Sequence, residues 1–134
     1  MTEVPRRRRP ALSWLAAAGV VMSAAACGGA DARPDASTWR PTWVERQALV
    51  PDAQTILDGG KDVCGERLGT FRSEMPALRP TPSETTDSSI DEWIALTETI
   101  VFECSDDAAI LGEQLDRLDA IAAEVDASLE AASD

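Results

Sequence analysis

Histidine and tyrosine are absent from the 134 residues, lysine occurs once, phenylalanine twice and cysteine three times. Without histidine the chain lacks the commonest general base and the commonest zinc ligand. Twelve basic residues face 24 acidic ones, a formal charge of −12. That balance is wrong for gripping a phosphate backbone, so nucleic acid is excluded as a partner class. The small aromatic set also argues against a ring-walled sugar cleft of the kind that paired-carboxylate glycoside cleavage needs. The length suits one small domain, and an apolar content of 44% is too high for a wholly disordered acidic tail.

What is present is most distinctive at the start. Arg6 to Arg9 form a basic block, followed from Ala11 to Ala26 by a stretch with no charged residue. Its apolar part, Leu12 to Ala26, is 15 residues long, shorter than the roughly 20 that span a bilayer. An export signal is therefore the better reading than a permanent span. The run Ala24-Ala25-Ala26-Cys27-Gly28-Gly29 resembles the lipobox of bacterial lipoproteins. The resemblance covers the signal segment only, and Ala24 stands where that family usually has Leu or Val. It implies that residues 1–26 are a lipoprotein signal peptide and that Cys27 receives a diacylglyceryl group. The protein would then sit on the extracytoplasmic face of the cell membrane. Ordinary cleavage after Ala26 is the alternative and would release a soluble protein with a free Cys27. Arg8-Arg9-Pro10-Ala11-Leu12 is also similar to a twin-arginine export signal, with the general secretory route preferred. Eleven arginines against the single Lys61 fit a composition seen in lipoproteins of high-GC Gram-positive bacteria.

Without residues 1–26 the chain has 108 residues, with 8 basic and 23 acidic, a formal charge of −15. Such a surface is repelled by anionic headgroups, so the lipid would hold the protein at the membrane. Two acyl chains on Cys27 are enough for stable anchoring, where one would not be. Cys64 and Cys104 remain, and two cysteines in an exported chain predict a disulfide. No Cys-x-x-Cys occurs, and two thiolates without histidine do not build the usual four-ligand zinc site, so no metal is expected.

Residues 27–38 carry no apolar repeat and read as a flexible tether. Residues 39–134 read as a helical domain. A first helix is predicted from Thr42, where Thr42-x-x-Glu45 matches a capping box, to about Val50 before Pro51. Ile56, Gly60, Cys64, Leu68, Phe71 and Met75 then share one helical face. Gly59-Gly60 predicts a kink or a close helix approach within that second helix. Leu78 to Asp87 reads as a surface connection, exposed and open to docking or glycosylation. Ser89-x-x-Glu92 is a second capping box and opens a stripe running Ile90, Ile94, Thr97, Val101, Cys104, Ala108, Leu111, Leu115, Leu118, Ala122, Val125 and Leu129. Steps of four and three over that length mean helix packing, not strands. A single helix over 89–130 would run about 63 Å, and Ser105-Asp106-Asp107 offers caps for a break, so two helices near 89–104 and 107–131 are expected.

The fold expected is thus all-α, a three- to four-helix bundle stapled by one disulfide. No phosphate loop, His-Glu pair, nucleophile elbow or calcium loop occurs. Glu103, Asp106 and Asp107 are read as capping and solvated, with a cation site as the alternative. Glu113, Asp116, Asp119, Glu124, Asp126 and Glu130 are the wet side of the last helix or a face for a basic partner. Trp39 and Trp43 either anchor the first helix to the core or contact a partner. Neither catalysis nor a cofactor is expected. The function predicted is an accessory or interaction module of the cell envelope with a protein partner, the alternative being a small-ligand or cation binder that would need an apolar pocket between helices.

Overall fold

The computed structural model describes residues 32–133, so the expected signal peptide and Cys27 lie outside the described residues. Among the described residues four α-helices make the bundle: α1 (Ala36–Gln47), α2 (Ala53–Glu74), α3 (Glu84–Glu103) and α4 (Ala108–Ser133). A short 3-10 turn, Met75–Leu78, follows α2. Among the described residues there is no strand, and no helix is long and apolar enough to cross a membrane.

Helix α1 begins six residues before the expected Thr42. Asp35 sits at its N-cap and accepts the backbone N–H groups of Thr38 and Trp39 through its carbonyl. Pro41 lies inside the helix, although proline removes a backbone donor and crowds the preceding turn. Trp39 and Trp43, one turn apart and both buried, outweigh that cost by filling the core. The flexible stretch expected to Thr38 is therefore shorter, since Ala36, Ser37 and Thr38 are helical.

Asp52 caps α2 by accepting the Thr55 N–H at 2.8 Å. The expected kink is at Gly60, with φ 58° and ψ −148°, a conformation essentially reserved for glycine. Ile56, Cys64 and Phe71 lie buried on the inner face. At the other end Arg46 closes α2, its Nε donating to the Glu74 carbonyl and its NH2 pairing with the Glu74 carboxylate at 3.3 Å.

Helix α3 starts earlier than the expected Ser89. Ser83, placed after Pro82, is the N-cap and accepts the Thr86 N–H at 3.1 Å. Ser89 is buried within the helix, where it cannot cap one. The segment expected as an exposed connection also contains fully buried Leu78 and Thr81. Helix α3 ends at Cys104 in the left-handed region, φ 47°, a stop usually supplied by glycine. Asp107 then caps α4 by accepting the N–H groups of Ala109 and Ile110. The long stripe is thus broken where Ser105-Asp106-Asp107 predicted.

The core centres on four rings from three helices. Trp39 stacks on Trp43 at 6.0 Å, Trp43 meets the edge of Trp93 at 4.8 Å, and Trp93 tilts against Phe71 at 5.5 Å. Helix α4 lays Leu111, Leu118, Ile121, Val125 and Leu129 over them. Cys64 and Cys104 form the disulfide, with their Cα atoms 6.0 Å apart, tying α2 to the end of α3.

Candidate functional site

Three regions carry chemistry that the bundle does not use up in its core: a polar knot where the chain enters, an apolar tip at the disulfide, and a cleft beside Trp93.

The knot forms around Thr81 and Asp87. Arg33 donates through NH1 to the Thr81 carbonyl at 3.1 Å and through NH2 to Asp87 Oδ2 at 3.1 Å. The Thr81 hydroxyl lies 2.6 Å from Asp87 Oδ1 and 2.8 Å from the Ser83 carbonyl. The Thr81 hydroxyl, and then the Arg33 guanidinium, hold the Asp87 carboxyl below its ordinary value. Beside Asp87, the buried Thr86 Oγ1 and Ser128 Oγ are 2.7 Å apart, joining the start of α3 to the end of α4. The chain is thereby fixed at Arg33, inside the stretch expected to be flexible.

The tip lies at the other end of α3. Phe102 is 73% exposed and Ile110, in the first turn of α4, is 46% exposed. A hollow of about 220 Å³ adjoins Phe102, lined by Val101, Leu68, Lys61 and the Cys64–Cys104 pair. From Asp87 to Phe102 the axis of α3 runs about 22 Å, so the tip and the knot occupy opposite ends of that helix.

The cleft, about 260 Å³, lies between the α1–α2 corner and α4. Val50, Trp93, Leu115 and Leu118 supply apolar lining, and Asp52 and Asp119 carboxylates. The Thr55 backbone N–H holds the Asp52 carboxyl below its ordinary value.

The residues singled out from sequence are distributed otherwise. Trp39 and Trp43 are core residues at 4% and 0% exposure, the placement expected of them as anchors of the first helix, the alternative having been a partner contact. Trp39 Nε1 donates to the Leu78 carbonyl at 2.8 Å, and Trp43 Nε1 to Asp126 Oδ1 at 3.0 Å. Their rings were needed because a bundle of this size must bury large side chains to hold a short proline-containing helix. Asp107 is a cap, and Glu103 accepts the Gln114 side-chain amide at 3.0 Å. Of the acidic residues on α4, Asp126 is used by Trp43 and Glu130 pairs with Arg40 at 3.1 Å. Glu113, Asp116, Asp119 and Glu124 are exposed.

Sequence reasoning missed the knot, the tip and the cleft. The tip had a signal: Phe102 and Ile110 both fall off the apolar stripe that passes through Val101, Cys104, Ala108 and Leu111. The knot had none, because the bonds that bring Arg33 into it join residues 48 and 54 positions apart.

Comparison with protein-family models, with curated proteins and with solved structures finds no match.

Proposed function

We propose that the protein is a lipid-anchored accessory module of the cell envelope, non-catalytic, held to the membrane through Cys27 and presenting its disulfide tip to a protein partner. The observation that carries this reading is Phe102, a large aromatic side chain 73% exposed at the opposite end of α3 from the point where Arg33 fixes the incoming chain. An exposed aromatic beside an apolar hollow is the usual form of an interface anchor, and the four free carboxylates along α4 would steer a basic partner surface toward it. Between Cys27 and Arg33 only five residues intervene, so the knot would lie close to the membrane and the tip away from it.

Two measurements test it. Changing Cys27→Ala is expected to release the protein from the membrane fraction and abolish the lipid mass on its N-terminal fragment; persistence of both would remove the anchor from the reading. A photocrosslinking side chain at position 102 should capture a discrete envelope protein in intact cells, while the same group at exposed Thr70 on α2 should not. Equal capture from both positions would remove the tip.

A further inference from the structure

The disulfide reaches the surface at the tip. Both of its cysteines line the 220 Å³ hollow, together with Phe102 and Lys61. Their exposure differs: Cys64 is 2% exposed and belongs to the core cluster, whereas Cys104 is half-buried and packs against the edge of that cluster. A thiol arriving from solvent therefore meets Cys104 first. Thiol–disulfide exchange needs access to one sulfur and a leaving sulfur whose negative charge is tolerated.

Two further observations single out this crosslink. Lys61, the one lysine of the chain, stands three positions before Cys64 on α2, so the two share a helix face as well as the hollow. On a chain with 24 acidic residues against 12 basic ones, that ammonium group favours the charge left on Cys64 when the bond opens. Cys104 itself holds φ 47°, a left-handed backbone that is disfavoured for a residue with a Cβ and that clusters at functional sites. The rings of Trp43, Trp93 and Phe71 pack on one another without the sulfurs, so opening the bond leaves the centre of the core in place.

We propose that the Cys64–Cys104 disulfide is an exchange site for a protein dithiol that docks on Phe102. A thiolate of the partner attacks Cys104 Sγ, the Cys64–Cys104 bond breaks, and Cys64 leaves as a thiolate beside Lys61 and takes a proton from solvent. The partner's second thiol, giving its proton to solvent, then attacks the partner's sulfur in the mixed disulfide and releases Cys104, which is protonated in turn. Two electrons and two protons pass from the partner, which departs as a disulfide, to the bundle, which keeps two thiols. The bundle is the substrate of this exchange, in keeping with a non-catalytic role, and the docking on Phe102 rests on the reading of the tip as a partner surface.

Reduction is followed by intact mass after an alkylating quench, on the full chain carrying Cys27→Ala so that the pair is the only source of thiols, with dithiothreitol and reduced thioredoxin as probes. Dithiothreitol is expected to open the bond at a rate that about 1 M urea changes by less than about twofold, whereas a bond opened only through global unfolding would react roughly fivefold faster or more. A thioredoxin whose resolving cysteine is replaced by serine should be trapped on Cys104, read by peptide mapping; trapping on Cys64, or on both equally, would overturn the direction of attack. Lys61→Gln, at an exposed position, should slow both probes by roughly two- to fivefold, as for one exposed charge contact, and unchanged rates would overturn the role of the lysine. Phe102→Ala should slow thioredoxin about tenfold, as for an interface anchor, and leave dithiothreitol unaffected. Thioredoxin rates that ignore Phe102→Ala would overturn the docking and leave the exchange at the bond standing. A dithiothreitol rate that climbs with urea as global unfolding does would overturn the exchange site and leave the tip as a partner surface.

Discussion

Asp87 shows how much one side chain can organise in a small bundle. It sits in the first turn of α3, where a negative charge is favoured by the helix dipole, and it receives both the Thr81 hydroxyl and the Arg33 guanidinium. Those bonds lower its carboxyl pKa in the folded state. A depressed folded value means that the stabilisation is present above the unfolded value, near 3.8, and is lost as the pH falls through the folded value. Asp87→Asn keeps the shape and removes the charge. Because the Arg33 and Asp87 side chains are about one third exposed, the expected loss at pH 7 is modest, about 0.5–1 kcal/mol. The gap between variant and wild type in urea unfolding should narrow as the pH falls below 3.8 and towards the folded value, and a gap that stays the same size down that acid range would contradict the assignment. Nothing in the sequence announced this cluster. Arg33 lies in a stretch without apolar period and Thr81 in a Pro-, Thr- and Ser-rich one, and a hydrogen bond spanning such distances leaves no local pattern to read.

Single elements were more legible than their ends. The spacing of Ile56, Cys64 and Phe71 on α2, and of Ile90, Thr97 and Val101 on α3, matches the buried faces observed, because burial enforces a period of 3.6 over many residues, whereas Trp93 and Ile100, which complete the α3 face, lie outside the stripe read from the sequence. A cap, by contrast, is a matter of four residues, and Ser, Thr, Asp and Glu are so frequent here that Thr42-x-x-Glu45 and Ser89-x-x-Glu92 imitate one inside helices. The actual starts at Asp35 and Ser83 follow from Pro34 and Pro82 immediately before them and from the buried side chains one turn on. Within α2 the two kinds of helical glycine make opposite predictions. Gly60→Ala places a Cβ at φ 58° and should destabilise by about 1–2 kcal/mol. Gly69→Ala, exposed with open space around its Cβ position, should stabilise by about 0.4–1 kcal/mol. A urea midpoint that rises for Gly60→Ala as well would show that the bend at Gly60 is not needed by the fold, and one that falls for Gly69→Ala would overturn the second prediction.

At the scale of the whole molecule the question is what keeps four helices together over so small a core. Helix α4 packs chiefly on α3, and α1 is held by Trp39, Trp43 and Arg46. The disulfide ties α2 to the end of α3 across 40 positions. On the chain-entropy model, closing a loop of that length removes about 4 kcal/mol of freedom from the unfolded chain, a large part of the 5–15 kcal/mol typical of a domain. Cys64→Ala with Cys104→Ala therefore should not abolish the fold, because the ring cluster of Phe71, Trp43 and Trp93 and the α4 apolar stripe do not depend on the sulfurs. It should lower the melting temperature by about 15–30 °C, from roughly 4–8 °C per kcal/mol for a domain of this size. Far-ultraviolet circular dichroism would read both parts, the helix content at low temperature and the midpoint on heating. The oxidised wild type with reductant added should behave like the double variant. A variant that is unfolded at low temperature would mean that the helices cannot find each other without the crosslink, and an unchanged midpoint would contradict the assignment of about 4 kcal/mol to restriction of the unfolded chain.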